Sequence, residues 1–188
     1  MLEDVSAVKR DAETRMKKSI EALKNELTKL RTGRASASIL DHVTVDYYGS
    51  QMPISQVANI SVTDARTLQV TPWERPMLNK IDKAIRESDL GLNPSSSSDS
   101  LRVPLPPLSE ERRREMTKLV RQEGEGARVA IRNVRRDANN HLKDLQKKKL
   151  ISEDEERRVQ EEIQTLTNRY IDEVDAVVGA KESDLMEV

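Results

Sequence analysis

The sequence predicts an α+β protein of two domains, a long antiparallel three-helix bundle interrupted by a small, mostly β insertion. Three observations lead there. Apolar residues recur at spacings of three and four along three long stretches. Between the first and second of these lie about 70 residues of short β-branched runs broken by Gly, Pro and Ser. Finally, 35% of the residues are charged, 2% are aromatic and Phe is absent, so the core rests on Leu, Ile, Val, Met and Ala, which suit helix-helix packing.

The first long helix is carried by Val5, Val8, Ala12, Met16, Ser19, Leu23, Leu27 and Leu30, one face uninterrupted before Gly33. The second follows Val103-Pro104-Leu105-Pro106-Pro107-Leu108, with Ser109 as N-cap and Glu110 and Glu111 in its first turn. Its stripe is Met116, Val120, Ala127, Ile131, Val134, Ala138, Leu142 and Leu145. Gly124 and Gly126 fall inside, each at a cost of about 1 kcal/mol relative to Ala. After Lys147-Lys148-Lys149, Ser152 and Glu155 have the spacing of a capping box, and Val159, Ile163, Leu166, Tyr170, Val174 and Val177 form a third stripe. The short link predicts antiparallel packing of these last two helices.

Residues 35–105 read differently. Strands are predicted at Val43–Tyr48, Ile60–Val62, Leu68–Thr71 and Leu101–Val103, with a short helix from Pro76 to Arg86, a stop at Gly91 and a loop at Ser95–Ser98. The predicted domains are 1–31 with 106–188 for the bundle and 32–105 for the insertion. Two connections join them. Thr32, Gly33 and Arg34 form one and Val103, Pro104, Leu105 and Pro106 the other, a hinge whose range Gly widens and Pro restricts.

Without cysteine, disulfides and thiolate metal sites are excluded. No segment has the apolar length of a membrane span, and Met1–Arg10 lacks the apolar run of a secretory signal, so a soluble cytoplasmic protein is expected. One apolar stripe per helix, about enough for a three-helix core, makes a monomer the expectation. His42 and His141 stand apart, and neither HExxH, GxSxG nor P-loop spacing occurs. The expectation is a binding protein with no catalytic residue, metal or cofactor. The Tyr47-Tyr48 pair and Trp73 are expected to serve packing more than ligand stacking.

Charge is unevenly distributed. Residues 109–149 hold thirteen Lys/Arg against seven Asp/Glu, and residues 150–188 four against twelve. Within the basic segment, Arg128, Arg132, Arg135 and Arg136 fall on one side of a helix. Such a row suits phosphates, since guanidinium groups stay charged and bind phosphate bidentately. A solvated face neutralised by the acidic third helix is the reading that patterning alone favours, with the phosphate face left open beside it.

Four stretches resemble the ribosome recycling factor family: Leu30–Ala35, Ser88–Pro94, Arg102–Leu108 and, most specifically, Arg128–Asn139. Asp184-Leu185-Met186 is also similar to the family's end. The resemblance implies an L-shaped protein of tRNA-like dimensions. Its implied role is to bind the post-termination ribosome and, with elongation factor G and GTP, to split it into subunits. It implies contact with rRNA of the large subunit through Arg31, Arg128, Arg132, Arg135 and Arg136. Two departures from the family pattern, Ala37 where Pro is common and the Gly124/Gly126 pair, bear on stiffness. The competing expectation is a dimeric coiled-coil scaffold, which would need apolar positions left over after the three-helix core is built.

Overall fold

The computed structural model describes residues 4–30 and 32–186. These divide into two compact units, one from 4–30 with Glu111–Met186, the other Thr32–Glu110.

The first unit is helical. Helix α1, Val5–Thr28, starts where the Asp4 carboxylate accepts from the Ala7 N–H at 2.7 Å, satisfying one of the helix's orphan donors. Helix α3, Glu110–Lys147, begins one residue after Ser109 and buries all eight of the expected apolar positions together with Gly124. It closes in a Schellman turn. Lys149 takes a positive φ of 59°, the Leu150 N–H reaches the Leu145 carbonyl at 2.9 Å and the Lys149 N–H that of Gln146 at 2.9 Å. Helix α4, Glu153–Met186, starts with Ser152 Oγ accepting from the Glu155 N–H at 3.1 Å, as the capping-box spacing predicts.

Cross-helix pairs fix the directions. Arg121 meets Glu182 at 2.8 Å and Arg135 meets Gln164 at 2.9 Å, so numbers fall along α4 as they rise along α3, and the two are antiparallel. Lys9 pairs with Glu162, and Tyr170 Oη donates to Glu13 at 3.3 Å, so α1 runs parallel to α4 and antiparallel to α3. Arg15 reaches Asp137 on α3 at 2.9 Å.

The stripes differ from expectation in detail. Ile20, not Ser19, is buried in α1. Ser19 is half-buried and donates to its own helix at Arg15 O, 3.1 Å away. In α4, Thr167 and Val178 are buried while Leu166 and Val177 are only half-buried. A threonine can take a core position because its hydroxyl donates to Ile163 O at 2.8 Å, leaving no unsatisfied donor.

The second unit holds a two-stranded hairpin, β1 (Thr44–Tyr47) with β2 (Ser50–Pro53), and an antiparallel sheet of order β3-β4-β6-β5. Its strands are β3 (Ala58–Asp64), β4 (Thr67–Pro72), β5 (Ser95–Ser96) and β6 (Leu101–Pro104), and helix α2 spans Leu78–Glu87. Tyr48 and Gly49 both have positive φ, 49° and 91°, the signature of the type I′ turn that suits a two-residue hairpin loop. The core is Leu40, Val45, Ile54, Leu68, Val70, Ile81, Ile85, Leu101 and Val103 among others. The Ser95–Ser98 stretch, expected to be a loop, pairs in its first half with Arg102 and Leu101 of β6.

The expected connection Val103–Pro106 is mostly structured. Val103 and Pro104 belong to β6, paired with Leu68 and Thr67, and buried Leu105 donates to Arg66 O at 2.7 Å. Ala35 donates to the adjacent Ala65 O at 2.7 Å, so both connecting segments are tied to the β3–β4 turn. Gly33, with φ of 78°, lies so close to Leu108 that a Cβ there would sit 3.3 Å from Leu108 Cγ.

Candidate nucleic-acid interface

An α-helix turns about 100° per residue, so positions seven apart nearly superimpose. Arg114, Arg121, Arg128 and Arg135 are spaced in that way along α3. Three of them make a ladder across the antiparallel seam. Arg121 binds Glu182 at 2.8 Å and Arg135 binds the Gln164 carbonyl at 2.9 Å, with Arg128 between them on Asp175, Nε to Oδ1 at 2.9 Å. Arg128 also meets Glu125 at 3.4 Å, and its side chain is only 22% exposed. The hydrogen bond to Asp175 raises the Arg128 pKa above its ordinary value. Its guanidinium is thus occupied by carboxylates, whereas Arg135 is held by a neutral amide and has no ion partner among the described residues.

A second row lies beside the ladder and points outward. Arg132 is 47% exposed, its nearest acid Glu125 at 3.6 Å, and Arg136 is 67% exposed with Asp137 no closer than 3.9 Å. Exposed ion pairs of this kind contribute little and exchange readily. Lys143 and Lys147 continue the row, both exposed and without an ion partner among the described residues. The sequence reading missed these two lysines. The signal available was the continuation of the four-and-seven spacing from Arg132 and Arg136 through an unbroken helix.

The structure therefore splits the predicted arginine row. Arg128 serves the α3–α4 seam, Arg135 lies between seam and surface, and Arg132 and Arg136 face solvent. Arg31 lies outside the described residues. His42 and His141 are both exposed, and no group of His, Cys, Asp or Glu among the described residues is placed to hold a metal. Among those residues, too, no helix is long and apolar enough to cross a membrane.

Tyr47, Tyr48 and Trp73 are less buried than predicted. Tyr48 is 75% and Trp73 67% exposed. Tyr47 and Tyr48 donate to the two oxygens of Glu74, at 2.6 and 2.8 Å, with their rings edge to face at 4.6 Å. The phenols hold the Glu74 carboxyl below the usual carboxylate range, and the carboxylate in turn pushes both phenols up. The hairpin tip is thereby tied to the end of β4 by polar groups instead of ring burial.

Comparison with known proteins matches residues 23–186 to the family model described as ribosome recycling factor. The ribosome-recycling factor of Thioalkalivibrio sulfidiphilus (strain HL-EbGR7) is 65% identical over 182 residues, 97% of this chain and 98% of that protein. That of Legionella pneumophila (strain Paris) is 62% identical over 184 residues, 98% of this chain and all of the other. A solution structure of the ribosome recycling factor aligns over the full length of both chains with a TM-score of 0.70 and 43% identity. A second solved chain is 44% identical, with a TM-score of 0.62 over 97% of this chain and 99% of its own. It comes from models for the T. thermophilus ribosome recycling factor and the E. coli elongation factor G bound to the E. coli post-termination complex. With this family model, these identities and this fold in agreement over nearly the whole chain, the protein belongs to the ribosome recycling factor family.

Proposed function

We propose that this chain binds the post-termination ribosome and, with elongation factor G and GTP hydrolysis by that factor, splits it into subunits. The observation that carries the reading is the outward cationic row of α3, presented by a helix that is locked to α4 by the arginine ladder. Family membership supplies the partner. Arg132, Arg135 and Arg136 would engage phosphates of large-subunit rRNA, and Lys143 and Lys147 would extend that footprint. A rigid helix suits this task because phosphate contacts fix register and orientation only when their donors are already in place.

The work is mechanical, with no chemistry asked of the chain itself. The helical unit anchors, the inserted unit is displaced by the GTPase, and the bending falls at Thr32, Gly33 and Arg34 and, on the return, between Pro106 and Glu110, where the second unit ends. Val103, Pro104 and Leu105 move with the inserted unit because they are part of its sheet and core. The chain acts as a cytoplasmic monomer. In support, the apolar stripes of α1, α3 and α4 are used up in one shared core, and the exposed Leu119 and Val129 do not continue a seam. A polysome-splitting assay with and without elongation factor G and GTP tests the reading. Subunits should appear only when all components are present; splitting that is independent of the GTPase, or absent with it, would refute it.

A further inference from the structure

The β1–β2 hairpin has a property that the ribosome-binding reading does not use. In a two-residue hairpin the flanking pair Tyr47↔Ser50 is hydrogen-bonded, and bonded pairs then alternate along the ladder. Val45↔Met52 is bonded next, and Ile54 N–H to Val43 O at 3.2 Å continues the alternation. The N–H and C=O groups of Thr44 and Asp46 therefore point away from β2, and among the described residues no main-chain group takes them up.

Both residues line a groove of about 600 Å³ whose opposite wall is α2, with Lys80, Lys83, Ala84 and Glu87. An open strand edge invites pairing with another chain, and proteins usually blunt such edges. Two of the other edges among the described residues are blunted. The outer edge of β2 includes Pro53, which has no N–H to offer, and β5 has two residues, whereas β3 runs in unbroken register from Ala58 to Val62 before its irregularity at Asp64. The β1 edge faces a groove with two successive outward residues that keep both donor and acceptor.

The charges along the groove are ordered. Lys80, at one end of α2, has no ion partner among the described residues. Glu87 and Asp89 lie at the other end, with Glu87 only 3.9 Å from Lys83. Lys80 and Glu87 are seven residues apart, roughly 10 Å along the helix at about 1.5 Å per residue. Side chains on one face of an extended strand repeat at roughly 7 and 13 Å. A strand laid in the groove thus places an acid opposite Lys80 and a base near Glu87 and Asp89 when the two are two or four residues apart.

We propose that the β1 edge is a docking site for one extended strand of a partner protein, bound by main-chain pairing to Thr44 and Asp46 and oriented by an acid–base pair of its own against Lys80 and Glu87. This is recognition by strand addition, in which the main chain supplies affinity and alternate side chains supply specificity. A second copy of this chain pairing β1 to β1 is the competing occupant.

The test uses the full-length chain and a phage-displayed random heptapeptide library, followed by synthesis of the enriched peptides. Enriched peptides should carry a carboxylate and a cation two or four residues apart and should shift the Thr44 and Asp46 amide resonances on binding. Thr44→Pro removes one outward donor at a position that the ladder does not use, so it should weaken binding at least tenfold while the melting curve is retained. Lys80→Glu leaves the main-chain edge intact and should weaken the same peptides several-fold. Four outcomes overturn the proposal: no enrichment, shifts confined to other amides, undiminished binding by both variants, or a light-scattering dimer that Thr44→Pro dissolves.

Discussion

Arg128 on α3 donates to Asp175 on α4 at 2.9 Å, with only 22% of its side chain exposed. A hydrogen-bonded charge at this depth contributes to stability, whereas an exposed one four residues away does little. Arg128→Ala should therefore lower stability by about 1–2 kcal/mol and leave the salt dependence of rRNA binding near that of the parent. Arg132→Ala should do the reverse. Its stability should change by less than about 0.5 kcal/mol, and the salt slope should fall by roughly one unit. Urea titration and binding at several salt concentrations separate the two. Equal loss of binding in both variants with unchanged stability would remove the distinction between seam and surface.

The two glycines of α3 should respond oppositely to alanine. A Cβ on Gly126 meets nothing within 4 Å, so Gly126→Ala should stabilise by about 0.5–1 kcal/mol through helix propensity. A Cβ on Gly124 would lie 2.6 Å from Val178 Cγ2, and a β-branched side chain in a helix has little freedom to turn aside. Overpacking costs about 1–3 kcal/mol, which outweighs the propensity gain, so Gly124→Ala should destabilise. Adding Val178→Ala should recover part of that loss by coupling between the two sites, measurable as a double-mutant cycle in urea.

Glu74 gives a dependence on pH whose sign follows from its partners. The phenols of Tyr47 and Tyr48 depress its folded-state pKa, so its contribution is present above the ordinary carboxylate pKa and is lost as pH falls through the lower folded value. The phenols have raised pKa values, so theirs is present below about pH 10 and is lost as pH rises through the folded values. Glu74→Gln should narrow both limbs, with parent and variant converging in acid. Trp73, the chain's sole tryptophan, reports the unfolding of this unit by fluorescence. Asp64 and Glu162 are also depressed, so some acid sensitivity should persist in the variant. A constant difference between the two proteins from pH 2 to pH 8 would contradict the clamp.

The α3–α4 turn offers a test of local backbone chemistry. Lys149 occupies a left-handed conformation that glycine adopts freely, so Lys149→Gly should stabilise by about 0.5–1 kcal/mol. Ser152→Ala removes the N-cap acceptor of α4 and should cost about 1 kcal/mol. Thermal melts of the two variants should move in opposite directions.

The bundle was legible in the sequence because a 3.6-residue period survives high charge, and every apolar position expected in α3 is buried. Errors came where polar side chains complete their own hydrogen bonds. Thr167 enters the core on its bond to Ile163, while Ser19 yields its expected place to Ile20. Strand β2, Ser50-Gln51-Met52-Pro53, has no β-branched residue and gave no strand signal. Tyr48 was expected to end a strand but sits in the turn, and Trp73 was expected to pack but is exposed. The arginine row was legible as a face. Its division into seam and surface was not, because that depends on the register of α4, which brings Asp175 to Arg128 and only Gln164 to Arg135.

The central claim is that the outward cations of α3 anchor the chain on the large subunit. Co-sedimentation of the Arg132→Ala/Arg135→Ala/Arg136→Ala variant with large subunits, at several salt concentrations and beside a helicity measurement, tests it most directly. The expected result is retained helicity, at least tenfold weaker binding and a salt slope lower by roughly two to three units. Unchanged affinity and slope in a fully helical variant would contradict it.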